Sequence, residues 1–178
     1  HGYWRISNHE IEPAFGTPES LNAMVKSAHQ KVIRVILDVV LNHQHQDFVD
    51  PNHSLLRKNE LCICGTDTCP WWRDIERCWF TPYLPDVNYS NFESIALELD
   101  ALVSLVKKYN FDGLRVDAVP MMPRFITRHL KHRMRAEFEG LGTPFLLIGE
   151  TFTSGDGYDH IRYYLGKNGL DGQFDFPL

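Results

Sequence analysis

The sequence predicts an α/β protein, a partial TIM (β/α)8 barrel interrupted by a loop-rich insertion. Three observations predict it. Apolar runs of strand length alternate with stretches whose apolar residues recur at helical spacing, which is the pattern of parallel βα units. Polar residues able to do chemistry, Asn42-His43, Asp117 and Glu150, close three successive runs, and barrel enzymes build their sites from such strand tips. No G-x-G-x-x-G turn follows a strand, as a nucleotide-binding doubly wound sheet would require.

Each element has its own signal. Thr17-Pro18 reads as an N-cap followed by proline at the first helical position, and Leu21, Met24, Val25 and Ala28 continue at helical spacing. Val32 to Leu41 is nearly unbroken apolar sequence apart from Arg34 and Asp38, which suits a strand buried on both faces. From about Gln44 to Asn91 no period is visible, and this region holds all four cysteines. Ile95, Leu99, Leu102, Val103 and Val106 mark a second helix, and Phe111–Val119 a second strand. Ile126, Leu130, Met134 and Phe138 mark a third helix, whose Arg124, Arg128, Lys131, Arg133 and Arg135 read as a solvated outer face. A strand over Phe145–Glu150 and a helix near Tyr158–Leu165 complete the pattern. The expected division is a partial barrel over 1–43 and 92–178, with an inserted cysteine-containing subdomain over 44–91. A closed barrel of this kind takes about 250 residues, so a 178-residue chain with about four visible strands is expected to be part of a longer one.

Composition narrows the partners. A hydrophobic content of 43% is that of a globular protein, and the net charge of −5 argues against nucleic acid. No run approaches the ~20 apolar residues that span a bilayer, and no leader peptide is visible. No internal repeat or low-complexity tract appears.

The chemistry concentrates in Gly113-Leu114-Arg115-Val116-Asp117 and Gly149-Glu150. Residues two apart in a strand face the same side, so Arg115 and Asp117 point together. The guanidinium is expected to hold Asp117 ionised, while Glu150 at the next strand tip supplies a proton. One ionised and one protonatable carboxyl group are the equipment of glycoside hydrolysis.

Taken together, the segments resemble the alpha-amylase family of glycoside hydrolases. Asp38-Val39-Val40-Leu41-Asn42-His43 resembles the family's first signature at the third barrel strand. Gly113 to Val119 resembles the second at the fourth strand, and Gly149-Glu150 the third at the fifth. His1-Gly2-Tyr3-Trp4 with Phe15-Gly16-Thr17, and Leu84-Pro85-Asp86-Val87-Asn88, match supporting segments in the right order. On this resemblance the insertion follows the third strand. It implies a retaining hydrolase of α-1,4-glucosidic bonds in starch-like glucans, with Asp117 as nucleophile and Glu150 as general acid and then base. Arg115 would orient Asp117, His43 would hydrogen-bond the sugar in the cleaved subsite, and Tyr3 would stack on it. Asp38 would support the strand-end network. Asn42 stands where many members give an oxygen to a structural calcium, and no organic cofactor is implied. Pro120-Met121 replace the family's usual lysine and histidine, which unsettles the calcium and points to a different acceptor subsite. The family's third aspartate belongs to a seventh strand that this chain does not reach, so the 178 residues alone are expected to be inactive.

Two rivals stand beside hydrolysis. One is a transglycosylase or trehalose synthase-like isomerase on the same barrel. The other is a catalytically silent binding relative, against which the presence of both carboxylates argues. Cys62, Cys64, Cys69 and Cys78 are spaced C-x-C-x4-C-x8-C. They could form two disulfides in three pairings, bind zinc, or stay as thiols. Disulfides are the preferred reading and would place the enzyme outside the cell or in a periplasm. Trp71, Trp72, Trp79 and Phe80 are candidates for a sugar cleft or for core under the loop.

Overall fold

The computed structural model describes residues 2–50, 54–57, 62–64, 71–140, 142–153, 155 and 157–178, apart from the side chains of Trp71 and Trp72. Expectations that fall on His1, on Cys69 and on those two tryptophan side chains lie outside the described residues. Helix α1 (Pro18–Gln30) begins at Thr17, whose side chain accepts from the Ser20 N–H while Ser20 Oγ accepts from the Thr17 N–H. This reciprocal cap is the predicted start. Strand β1 (Ile36–Val39), short helix α2 (Trp71–Asp74), α3 (Phe92–Tyr109) and β2 (Gly113–Val116) follow. Then come α4 (Arg124–Phe138), β3 (Leu146–Gly149), α5 (Tyr158–Tyr164) and β4 (Gly172–Gln173).

The four strands pair in the order β1-β2-β3-β4, every pair parallel. Order in space follows order in the chain, as in an arc of a barrel; a doubly wound sheet reverses at a switch point. The register aligns Val39, Val116 and Gly149. Asp117 and Glu150, the next residues along β2 and β3, therefore leave the sheet at one level. Beneath them Leu114, Val116 and Leu147 are fully buried, covered by Leu102 and Val106 of α3 and Ile126, Leu130 and Met134 of α4. Those helical residues recur at steps of three and four because that spacing keeps them on one face.

Two expectations need correction. The first strand is shorter than Val32–Leu41 and is not buried on both faces: Val32 is exposed with φ 59°, and Ile36 is 41% exposed. The physical reason is position, since among the described residues β1 is the outermost strand and pairs with β2 alone. The basic face of α4 is not wholly solvated either. Lys131 is buried, and its Nζ donates to both carboxylate oxygens of Asp171 at 2.7 and 2.8 Å. Asp171 Oδ2 in turn accepts from the Leu147 N–H, so this lysine ties α4 to the start of β3.

The segment after β1 is anchored to the strand tip. His43 bridges Asp86, Leu56 bridges Val87, and Ile63 bridges Trp79. Cys62 and Cys78 form a disulfide, one of the bonds open to four cysteines, and a disulfide sulfur is not a thiolate ligand for zinc.

Candidate active site

The turn after β2 is strained at the point where chemistry is expected. Ala118 adopts left-handed backbone (φ 47°, ψ 43°), unusual for a residue with a Cβ, and such strain persists only where surrounding bonds impose it. Those bonds are present: Asp117 N–H donates to Val39 O, Glu150 N–H to Val116 O, and Val119 N–H to Glu150 O. Ala118 N–H also donates to Glu150 Oε2 at 3.3 Å. A Cβ at Gly149 would lie 2.3 Å from Leu170 Cδ1 and 2.9 Å from Gln173 Oε1, so those side-chain ends would have to move to admit one.

Arg115 is the hub. It donates to Asp38 Oδ1 at 2.8 Å and to Asp117 Oδ1 at 2.5 Å, and its second terminal nitrogen reaches Glu150 Oε2 at 2.9 Å. Its guanidinium also lies over the Phe174 ring, 5.5 Å from the centroid. Burial works against its charge, but the hydrogen bonds to Asp38 and Asp117 outweigh it and raise its pKa. The sequence pairs Arg115 with Asp117; the fold gives it three carboxylates to hold.

Arg115 pulls the Asp117 pKa down, as expected, but does not act alone. Burial first, then a hydrogen bond with Glu150, push Asp117 up to about 6 against the pull of Arg115. Glu150 is near enough to raise Asp117 both through a hydrogen bond and through its charge.

A cavity of about 600 Å³ opens over these groups. Tyr3, Trp4 and His43 line it on one side, and Ile75, Phe80, Met121 and Phe152 make much of the rest. Tyr3 donates its phenol proton to Asp38 Oδ2 at 3.0 Å, a bond that raises the phenol's pKa. His43 is buried, and burial pushes it down to about 4, so its ring is neutral at ordinary pH. The Tyr3 carbonyl, 3.1 Å from Nε2, can only accept, which puts the ring proton on Nε2 and leaves Nδ1 to accept from Asn42 Nδ2. A sugar bond from His43 would have to displace the Tyr3 carbonyl. Phe80 faces the His43 ring nearly parallel, with centroids 6.2 Å apart.

Asn42 and Asp86 form a buried oxygen-rich pair at the β1 tip. Asn42 Nδ2 donates to Asp86 Oδ1 at 3.2 Å, and burial pushes Asp86 up to about 7. Asp86 Oδ2 is buried without a hydrogen bond, its nearest cation being Arg57 at 3.7 Å. An orphaned carboxylate oxygen beside an amide fits calcium, which takes hard oxygen ligands. Among the described residues no group of three His, Cys, Asp or Glu could hold a metal, so further ligands there would have to be carbonyls or water.

Comparison with known proteins agrees with this geometry. The family profile described as "Alpha amylase, catalytic domain" matches residues 1–60. Alpha-amylase 3 of Schizosaccharomyces pombe is 29% identical over 133 residues, covering 68% of this chain and 24% of that protein. An alpha-amylase crystal structure from Anoxybacillus superposes with a TM-score of 0.83 at 27% identity, covering 99% of this chain and 37% of the other. The chain belongs to the alpha-amylase family. A second alpha-amylase of that family, from Geobacillus thermoleovorans and complexed with acarbose, gives a TM-score of 0.81 at 30% identity over 99% of this chain and 38% of its own. The four parallel strands are thus an arc of the alpha-amylase barrel, and the chain spans about a quarter to two fifths of these relatives.

Sequence reasoning brings Tyr3, His43, Arg115, Asp117 and Glu150 to this cavity, and the fold places all five on its wall. It misses Phe152 and the cation–π partner Phe174, which follow strand tips without any polar signature. It also misses Glu98, a buried charge on the apolar face of α3. The signal for Glu98 was present: a carboxylate three residues after Ile95, where the helical stripe calls for an apolar side chain.

Proposed function

We propose that the chain carries the cleavage centre of a retaining glycoside hydrolase acting on α-1,4-glucosidic bonds of starch-like glucans. The observation that carries this is Arg115 holding Asp38, Asp117 and Glu150 together at adjacent strand tips, on the wall of one cavity with Tyr3 and His43. Asp117, ionised and oriented by Arg115, attacks the anomeric carbon and forms a glycosyl ester. Glu150 gives its proton to the departing glycosidic oxygen, then takes one from the water that breaks the ester. This division needs one carboxyl group ionised and the other protonated at the start. Tyr3 offers an aromatic face to the pyranose. His43, neutral with its proton on Nε2, becomes a donor to a sugar hydroxyl when the sugar displaces the Tyr3 carbonyl.

The apolar surface of Met121, Phe152 and Ile75 in the cavity supports a second reading, transfer to a sugar acceptor in place of water. A wall that binds water weakly favours an acceptor bringing its own contact area.

Product analysis on the intact protein tests the proposal. Proton NMR of the first products from an α-1,4-oligosaccharide should show the α-anomer, and β-anomer would refute a glycosyl-enzyme. Glu150→Gln should lose about 10²–10⁴-fold on starch yet keep much of its first-step rate on an aryl glycoside with a good leaving group. Equal losses on both would remove Glu150 from the acid role. Products longer than the substrate would select transfer over hydrolysis.

Calcium, where bound, would be held by Asn42 and Asp86, neutralising a buried carboxylate and tying the insertion to the β1 tip. A chelator should then lower the thermal midpoint of the intact protein, and added calcium should restore it. An unchanged midpoint would leave Arg57 as the cation for Asp86.

A further inference from the structure

The residues proposed to touch sugar are held from behind by a buried polar knot that nothing in the reaction itself requires. Glu98 of α3 is 1% exposed. Its Oε2 accepts from Arg5 NH2 at 3.0 Å, and its Oε1 accepts from Gln44 Nε2 at 2.8 Å and Asn8 Nδ2 at 3.2 Å. Arg5 NH1 and Gln44 Nε2 both donate to Asn8 Oδ1, closing the ring of bonds. One carboxylate thereby joins a helix to two segments far from it in sequence.

Those two segments carry Tyr3 and His43. Residues 43, 44 and 45 each grip the opening segment or the knot. His43 Nε2 donates to Tyr3 O at 3.1 Å, Gln44 reaches Glu98 through its side chain, and His45 N–H donates to Arg5 O at 2.7 Å. Beyond Tyr3 the chain of bonds continues through its phenol to Asp38 and Arg115. A buried ion pair is poor evidence for stability, because desolvating two charges offsets their attraction. Arg5 Nε and Gln44 Oε1 are even left buried without partners, so the knot is not built for the largest number of bonds. What it does supply is a single register between the two segments.

We infer that Glu98, with Arg5, is a positioning residue: the Arg5–Glu98 pair sets how Tyr3 and His43 face the sugar, without touching it. This rests on the reading of Tyr3 and His43 as sugar-contacting residues. The test is the intact protein with the volume-conserving pair Arg5→Met and Glu98→Leu together, which removes both charges and leaves neither orphaned. The expected result is a thermal midpoint close to wild type with KM for an α-1,4-oligosaccharide raised about tenfold and kcat less affected, since small misplacements of positioning groups are costly. The imidazole nitrogen resonances of His43 should shift as well, reporting loss of the Tyr3 carbonyl. Unchanged KM and unchanged His43 resonances in a folded variant would overturn the inference. Should the double variant not fold, Glu98→Gln, which keeps the shape and drops the charge, is judged by the same two readouts. If the wild type acts on no α-glucoside, the proposed function fails, and the His43 resonances alone still decide whether the pair positions the ring.

Discussion

Strand β2 is flanked by two aspartates that the fold treats in opposite ways. Asp112 precedes it and Asp117 follows it, and each side chain is 16% exposed. Around Asp112 burial pushes the carboxyl up, but bonds from Val35 N–H (2.7 Å), His29 Nε2 (2.8 Å) and Arg34 (2.9 Å) outweigh it and hold the group below its ordinary range. Around Asp117 burial at the cavity floor wins, helped by Glu150, and the group rises to about 6 despite Arg115. The first aspartate meets only donors. The second shares its donor with two other carboxylates. Equal exposure thus yields a depressed carboxyl at one end of the strand and a raised one at the other, and barrels place stability and catalysis at those two faces respectively.

Substitution should separate the two ends most sharply. Asp117→Asn should cost on the order of 10⁴–10⁶-fold in kcat, the range for loss of a nucleophile. Its thermal midpoint at pH 7 should be unchanged or higher, because the amide resembles the protonated form that the site favours. Activity within tenfold of wild type would sink the nucleophile assignment.

Asp112→Asn should do the reverse, lowering stability by about 1–3 kcal/mol through donors left without their charged acceptor, with kcat close to wild type. A large fall in kcat at full stability would erase the contrast. The pH dependence follows in sign. The folded pKa of Asp112 is depressed, so its contribution is present above the unfolded value and is lost as pH falls through the folded one. The folded pKa of Asp117 is raised, so its contribution is present below the unfolded value and is lost as pH rises through about 6.

The smallest effect is on the pH–rate profile. The acid limb of kcat/KM should fall near pH 6, reporting the Asp117–Glu150 pair as a unit. Residual activity of Glu150→Gln on an activated substrate should show that limb at lower pH, since a neighbour that raises Asp117 has gone. A limb that stays in place would mean that burial alone sets it.

Much of this protein was decided by the sequence itself. Helical spacing in Ile95–Val106 and Ile126–Phe138, the Thr17-Pro18 cap, and carboxylates closing two apolar runs are local facts. Local facts survive whatever the rest of the chain does, because they depend on backbone periodicity and on hydrogen bonds a few residues long. The parallel arc and the positions of Asp117 and Glu150 followed from them. Tertiary structure alone decided quantities that sum over distant neighbours. Arg115 meets Asp38 and Glu150 as well as Asp117 because parallel register aligns three strand tips, so the guanidinium is divided and Asp117 rises. Lys131 belongs to a basic stripe in the sequence, yet Asp171, forty residues on, draws it inward. Ile36 reads as core and lies on the outermost of the four described strands. Glu98 reads as a flaw in an apolar face until Arg5 and Gln44 are brought to it. A charge's state depends on everything within a few ångströms, and only the folded chain determines what that is.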